Sequence, residues 1–263
     1  MTDDRPASDS APDQASLGLL QGLATTRAIR RYTDEPVAEE DLATIVWHAT
    51  RAPSGSNRQP FRFLILRDGP LATQAKALLG KSFRALWAEK RRRDGYDAGS
   101  GATTDTPKAR MADTMQHFVD HFESIPVVIL ACLVRHRDPT PTEGASVYPA
   151  CQNLLLAARA MGYGGVMTMW HAYVEDELRE LLGIPAEVGI SATLTLGRPA
   201  GRHGPVRRRP IEELVFDDAW DRPAPWAHDP PNTRFTGSGP LRPSAASISE
   251  EKADPLRCTT PPL

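Results

Sequence analysis

Hydrophobic and polar positions change period several times along this chain, and each change marks an element. Over 37–50, Leu42, Ile45, Val46 and Ala49 fall at i, i+3, i+4 and i+7, which predicts an amphipathic helix. Its first turn is acidic (Glu39, Glu40, Asp41) and complements the positive end of the helix dipole. FRFLILR at 61–67 reads as a strand, and 71–93 as a helix ending in Lys90, Arg91, Arg92 and Arg93. A polar loop over 94–107 leads to a second helical pattern at 108–123. The unbroken apolar run at 126–134 predicts a strand buried on both faces. A mostly apolar helix follows at 148–162, closed by the stop signal Gly162. A short strand at 165–170, a helix at 175–184 and a strand at 190–197 complete the series. Helices interspersed with strands imply an α+β or α/β sandwich around one sheet.

Both ends lose this periodicity. The segment 221–263 holds 9 of the 24 prolines and mixes them with Ser, Thr and Gly. Such a stretch buries too little apolar area to offset its ordering entropy and is expected to be largely disordered, with Trp226 and Phe235 the residues able to anchor part of it. The opening 1–14 is similar in character, leaving 15–220 as the expected folded domain. No run of about 18 apolar residues is present, and no basic stretch leads into an apolar one near the start, so the reading is a cytoplasmic protein with no membrane partner. Cys132, Cys151 and Cys258 form no CxxC pair, which argues against a disulfide framework or a four-cysteine zinc site. Thirty-one basic against 33 acidic side chains give a net charge of −2. That balance argues against nucleic acid as a partner, and the basic run at 90–93 has no aromatic platform beside it.

Four segments carry candidate chemistry. TTRAIRRY places Arg27, Arg30 and Arg31 within five residues, and two guanidinium forks on one face suit a phosphate or carboxylate. APSGSNRQP is a tight turn whose backbone N–H groups can converge on an anion or a ring edge, and Asn57 and Gln59 each offer a donor and an acceptor. GPVRRRPIEE follows the last strand, and in an extended segment Arg207 and Arg209 would share one face. MGYGGVMTMW has glycines at 162, 164 and 165 that let backbone approach a flat ligand. Taken singly, an arginine run is more often a solvated charge face, and an Asn/Gln loop is as often an ordinary turn. His117 and His121 stand at i, i+4 without a carboxylate of metal-site spacing, and read as a helix surface rather than a metal site. GxGxxG, Walker A, HExxH and GxSxG motifs are missing.

In this order, three blocks resemble the nitroreductase family of FMN-dependent flavoproteins: TTRAIRRYTDEPVAEEDLATIVWHATRAPSGSNRQPFRFLILRD, SVYPACQNLLLAARAMGYGGV, and ELRELLGIPAEVGISATLTLGRP followed by RRRPIEELV. The resemblance implies a homodimeric α+β sandwich, with a central, mostly antiparallel sheet flanked by helices and FMN at the dimer interface. It assigns Arg27, Ala28 and Arg30 to the phosphate and pyrimidine side of FMN. Pro53, Ser54, Gly55, Asn57 and Gln59 fall on the loop around the ribityl chain and ring edge. Met167 and Thr168 belong to the strand passing flavin N5, and Arg207 and Arg209 to the basic pair on the phosphate. The family usually has Ser where this chain has Ala28, and Trp where it has Phe61. The implied activity is ping-pong transfer of a hydride from NAD(P)H to FMN and on to a small-molecule oxidant, a nitroaromatic or quinone. The flavin does the redox chemistry, so no catalytic side chain is assigned. A dehalogenase, a biosynthetic dehydrogenase and a low-turnover flavin-binding protein stay open as alternatives.

Overall fold

The computed structural model describes residues 17–101 and 105–235. Four strands, β1 (Phe61–Leu66), β2 (Val127–Val134), β3 (Gly164–Thr168) and β4 (Val188–Gly197), form one sheet in the order β1-β2-β4-β3. All three pairings are antiparallel. Around the sheet lie α1 (Leu19–Thr25), α2 (Glu39–Ala49), α3 (Pro70–Arg93), α4 (Pro107–Asp120), α5 (Tyr148–Ala160) and α6 (Glu175–Leu182). The architecture is α+β, as the sequence predicts.

Strand β2 is central and explains its own composition. Val127, Ile129, Ala131 and Leu133 point into one core, against Ile45 and Ala49 of α2 and Leu154 of α5. Val128, Leu130 and Cys132 point into the other, with Leu79, Phe83 and Trp87 of α3, Phe118 of α4 and Leu178 of α6. Alternate side chains of one strand thus enter two separate cores, so every position must be apolar. Helices α5 and α6 are followed by Gly162 and Gly183, whose φ values of +80° and +65° lie in the left-handed region that ends helices.

Two features lie outside the periodic pattern. Helix α1 is too short to show a period and leaves Leu19, Leu20 and Leu23 exposed. After β4 the chain runs on as a strap. Ala224 and Ala227 are buried, Ile211 N–H donates to Asp229 Oδ2 (3.0 Å), and Arg208 forms a parallel bridge with Phe235. Phe235 is thus held by its backbone, whereas Trp226 is exposed. Of the segments expected to lack order, 1–14 and 221–263, the structure describes only 221–235, which belongs to this strap; 1–14 and 236–263 lie outside the described residues, as does Cys258, and Cys132 and Cys151 are buried and free. Among the described residues no helix is long and apolar enough to cross a membrane.

Candidate active site

The site begins where α1 stops. Thr26 Oγ1 donates back to Gly22 O (2.7 Å), and the chain then turns along the open edge of β3. Ile29 N–H donates to Gly165 O (2.9 Å), and Thr33 N–H donates to Arg198 O (3.0 Å). Tyr32 fixes the turn between them. Its hydroxyl lies 2.6 Å from Ile29 O and 2.7 Å from Thr195 Oγ1. A phenol has one proton to give, so it donates to the Ile29 carbonyl and accepts from Thr195. Burial pushes the Tyr32 phenol well above its ordinary value, which keeps it a neutral donor.

The glycines of β3 permit close packing on both of its sides, Gly164 against the Arg27 segment and Gly165 against β4. A Cβ on Gly164 would meet Ile29 Cγ1 at 2.6 Å, and one on Gly165 would meet Thr195 O at 2.2 Å. His203 closes the inner side. Its Nδ1 accepts from Arg27 N–H (3.5 Å) and its Nε2 donates to Tyr163 O (3.3 Å), an arrangement that requires the neutral ring. Burial, with Arg159 and Arg27 nearby, lowers its pKa in agreement.

Two backbone bonds bring the distant arginine run alongside. Gly204 N–H donates to Thr25 O and Val206 N–H to Ala24 O, both at 3.3 Å. A cavity of about 550 Å³ results. Arg27, Ala28 and Arg30 line it from the first segment, and Pro205 and Arg207 from the second. Helix α4 contributes Pro107, Arg110, Met111 and Thr114, which are i, i+3, i+4 and i+7 of one face, and the strap contributes Arg234. Among the described residues, Arg27, Arg30 and Arg207 have no carboxylate partner. Burial lowers the pKa of the Arg30 guanidinium. Arg30 is half-buried, and Arg27 and Arg207 are exposed at the cavity mouth. Unpaired guanidinium groups that converge in this way fit a phosphate dianion, which needs several charge-assisted hydrogen bonds to leave water.

Arg209 is turned the other way. Its Nη1 donates to Glu213 Oε2 (3.3 Å), and it does not line the cavity. Met167 and Thr168 lie on the edge strand β3. The Gly165 carbonyl points away from β4 toward Ile29, and Met167, two residues on, shares that parity, so its backbone N–H also faces outward.

The loop over 53–59 is elsewhere. Ser56, Asn57 and Gln59 all have φ near +50°, uncommon for side chains other than glycine and a form of strain that gathers at functional sites. Ser54 Oγ accepts from Gln59 N–H (2.9 Å), Gln59 Nε2 donates to Asn57 Oδ1 (3.2 Å), and Gly55 N–H donates to Ser146 Oγ (3.2 Å). Pro53 opens this turn, and Phe61 at the start of β1 pairs with Leu133 at the far end of β2. The arginine segment sits by Gly165, whose register runs through Leu196 to Val127 at the near end. Six residues of strand separate the two levels, about 20 Å at ~3.3 Å per residue. One chain therefore carries the two halves of the expected flavin site at opposite ends of its sheet.

Residues 23–198 match the family model described as the Nitroreductase family. The chain belongs to the nitroreductase family. It is 29% identical over 202 residues to an NADH dehydrogenase of Thermus thermophilus, covering 72% of this chain and 91% of that protein. It is 28% identical over 201 residues to an iodotyrosine deiodinase of Thermotoga neapolitana, covering 75% of this chain and 96% of that protein. A nitroreductase-type protein from Desulfovibrio desulfuricans, solved in complex with FMN, superposes with a TM-score of 0.55 at 28% identity over 76% of this chain and 96% of the other.

For this nitroreductase-family chain, sequence reasoning missed Tyr32, His203, Arg110 and Arg234. Tyr32 closes the TTRAIRRY segment and could have been noticed as the hydroxyl ending an arginine turn. The face of α4 is visible as 107, 110, 111 and 114. Nothing local marks His203 or Arg234, because their roles arise only when the chain after β4 folds back.

Proposed function

We propose that this protein is an FMN-dependent oxidoreductase that accepts a hydride from NAD(P)H and passes electrons to a small acceptor, a nitroaromatic or a quinone. The observation that carries this reading is the convergence of Arg27, Arg30 and Arg207 on one cavity at the open edge of β3, with no carboxylate opposite them. When bound, FMN supplies reversible two-electron exchange at N5. Arg27 and Arg207 hold its phosphate, and the half-buried Arg30 places positive charge toward the ring. The outward N–H of Met167 lies along the strand edge where the ring would pass, with Thr168 next to it. Ala28 offers no hydroxyl, so the guanidinium groups carry the phosphate binding. The residues lining the cavity include no His, Cys or carboxylate, so the chain contributes position and electrostatics rather than a proton relay.

A second copy of the chain completes the site in this reading. Within one chain Pro53, Ser54, Gly55, Asn57 and Gln59 lie at the other end of the sheet from Arg27, about 20 Å away along the strand direction alone, and the partner's equivalent loop takes their place. The exposed apolar residues Leu19, Leu20 and Leu23 of α1 and Trp47 of α2 support a homodimer. The FMN-binding domain is assigned to 15–220. The deiodinase relative, of which the chain covers 96%, favours reductive dehalogenation as the second reading.

The test is the absorption spectrum of purified protein, followed by steady-state oxidation of NADH and NADPH with menadione or nitrofurazone as acceptor. A yellow protein that releases FMN on denaturation and turns over with either acceptor is expected. Release of iodide from 3-iodotyrosine, without nitro or quinone turnover, would select the second reading. A protein that holds no flavin even with excess FMN overturns both.

A further inference from the structure

We propose that α4 and the strap form a second anion subsite beside the flavin phosphate, which takes a phosphate or carboxylate carried by the molecule that exchanges electrons with the flavin. This rests on the assignment of Arg27, Arg30 and Arg207 to FMN. The same cavity is lined by two further guanidinium groups, Arg110 from α4 and Arg234 from the strap. Arg110 donates to Asp105 Oδ1 at 2.7 Å, but both side chains are exposed, and such a pair opens readily. Arg234 has no carboxylate partner among the described residues. A phosphomonoester brings about −1.5 to −2 charges. Set against five guanidinium groups and Asp105, it leaves an excess of roughly two positive charges in one cavity. Four of the five groups are exposed and lie around one apolar-walled cavity, so this positive excess attracts a second anionic group from solution.

The placement is built rather than incidental. The bridge between Arg208 and Phe235 returns the strap to the arginine run, so Arg234 is set one residue before a backbone anchor. On α4, Arg110 shares a face with Pro107, Met111 and Thr114, and Thr106 Oγ1 caps that turn by accepting from Ala109 N–H at 3.1 Å. Met111, Pro107 and Pro205 give the cavity an apolar wall beside the charges. At about 550 Å³ it has the size of a small-molecule site rather than of a single ion. The ligand class is therefore an organic molecule with an apolar body and an anionic end. Two sources share this chemistry: the phosphates of the nicotinamide dinucleotide, and an acidic acceptor such as a nitroaromatic carboxylate.

The experiment uses the FMN-loaded protein and the double variant Arg110→Gln/Arg234→Gln, with Arg234→Glu alone as a second variant. FMN affinity is measured by flavin fluorescence, and binding of adenosine 2′,5′-bisphosphate, adenosine, 4-nitrobenzoate and nitrobenzene by calorimetry. The wild type is expected to bind one anionic probe at least tenfold more tightly than its uncharged counterpart. The variants should weaken that probe about tenfold or more and change FMN affinity less than twofold. Preference for the bisphosphate assigns the subsite to the reductant, and preference for 4-nitrobenzoate assigns it to the acceptor. Unchanged probe affinity in the variants overturns the subsite alone. Parallel loss of FMN also overturns it, by returning both arginines to the flavin phosphate. A wild type that holds no FMN sinks the flavin assignment and this inference with it.

Discussion

A guanidinium group without a carboxylate partner keeps its charge for something outside the chain. Arg207 is such a group, whereas Arg209, two residues on, donates to Glu213. The two were expected to act as a pair, so they make a sharp comparison. A charge-assisted hydrogen bond to a phosphate contributes about 1.5–3 kcal/mol. Arg207→Ala is therefore expected to weaken FMN binding roughly 10- to 100-fold, and Arg209→Ala less than about threefold, in fluorescence titrations. Histidine supplies a second residue-scale expectation. His171 is buried, its Nε2 donates to Ile190 O at 2.9 Å, and burial lowers its pKa. The unfolded chain takes up a proton near the ordinary histidine value of about 6.5, whereas the folded chain resists until a lower pH. The unfolded state thus binds more protons in that window, so stability is full above it and declines as pH falls below about 6.5. Melting temperatures measured between pH 8 and pH 5 should show this decline, and His171→Gln should reduce it, leaving the share that the lowered pKa of His203 contributes.

At the scale of elements, the site depends on how closely the Arg27 segment approaches β3. Gly164 makes this possible by omitting a side chain that would lie 2.6 Å from Ile29 Cγ1, while Gly165, whose carbonyl holds Ile29, omits one that would lie 2.2 Å from Thr195 O of β4. Gly165→Ala must push β3 away from β4 and move the carbonyl that holds Ile29. Overpacking of this kind costs about 1–3 kcal/mol, which for a domain of this size lowers the Tm by roughly 2–12 °C. Flavin content should fall with it, even in protein that remains folded by circular dichroism. Full retention of FMN would mean that the Ile29 anchor does not position the phosphate site. Most elements themselves were legible beforehand. The apolar positions of α2 and the unbroken run of β2 announce their packing directly, because burial on one face or two leaves a period in the chain. Helix α1 and the strap were not legible: one is shorter than two full turns, and the other is held by a few backbone bonds that leave no period.

For the whole molecule, the separation of the two half-sites along the sheet sets the decisive expectation. Arg27 and Asn57 belong to different sites if the partner's loop completes each cavity. Arg27→Ala and Asn57→Ala protomers are each expected to bind FMN poorly alone. A mixed dimer, co-expressed with two tags and purified through both, should regain one intact site per dimer. If each chain built its own complete site, the mixed dimer would hold two damaged sites and stay colourless.

The chain's order of residues determined, without any coordinates, most of the segments that are helix or strand, and it marked four segments as candidates for chemistry. Those are local properties, written in the spacing of apolar side chains and in the residue types that bind phosphate. Only the tertiary structure decided which of those segments meet. The backbone bonds from 204 and 206 to the end of α1 bring Arg207 to Arg27, and the antiparallel register carries the 53–59 loop to the far end of the sheet. Contacts between residues some 180 positions apart depend on how layers stack around a shared core, and no local period records that choice.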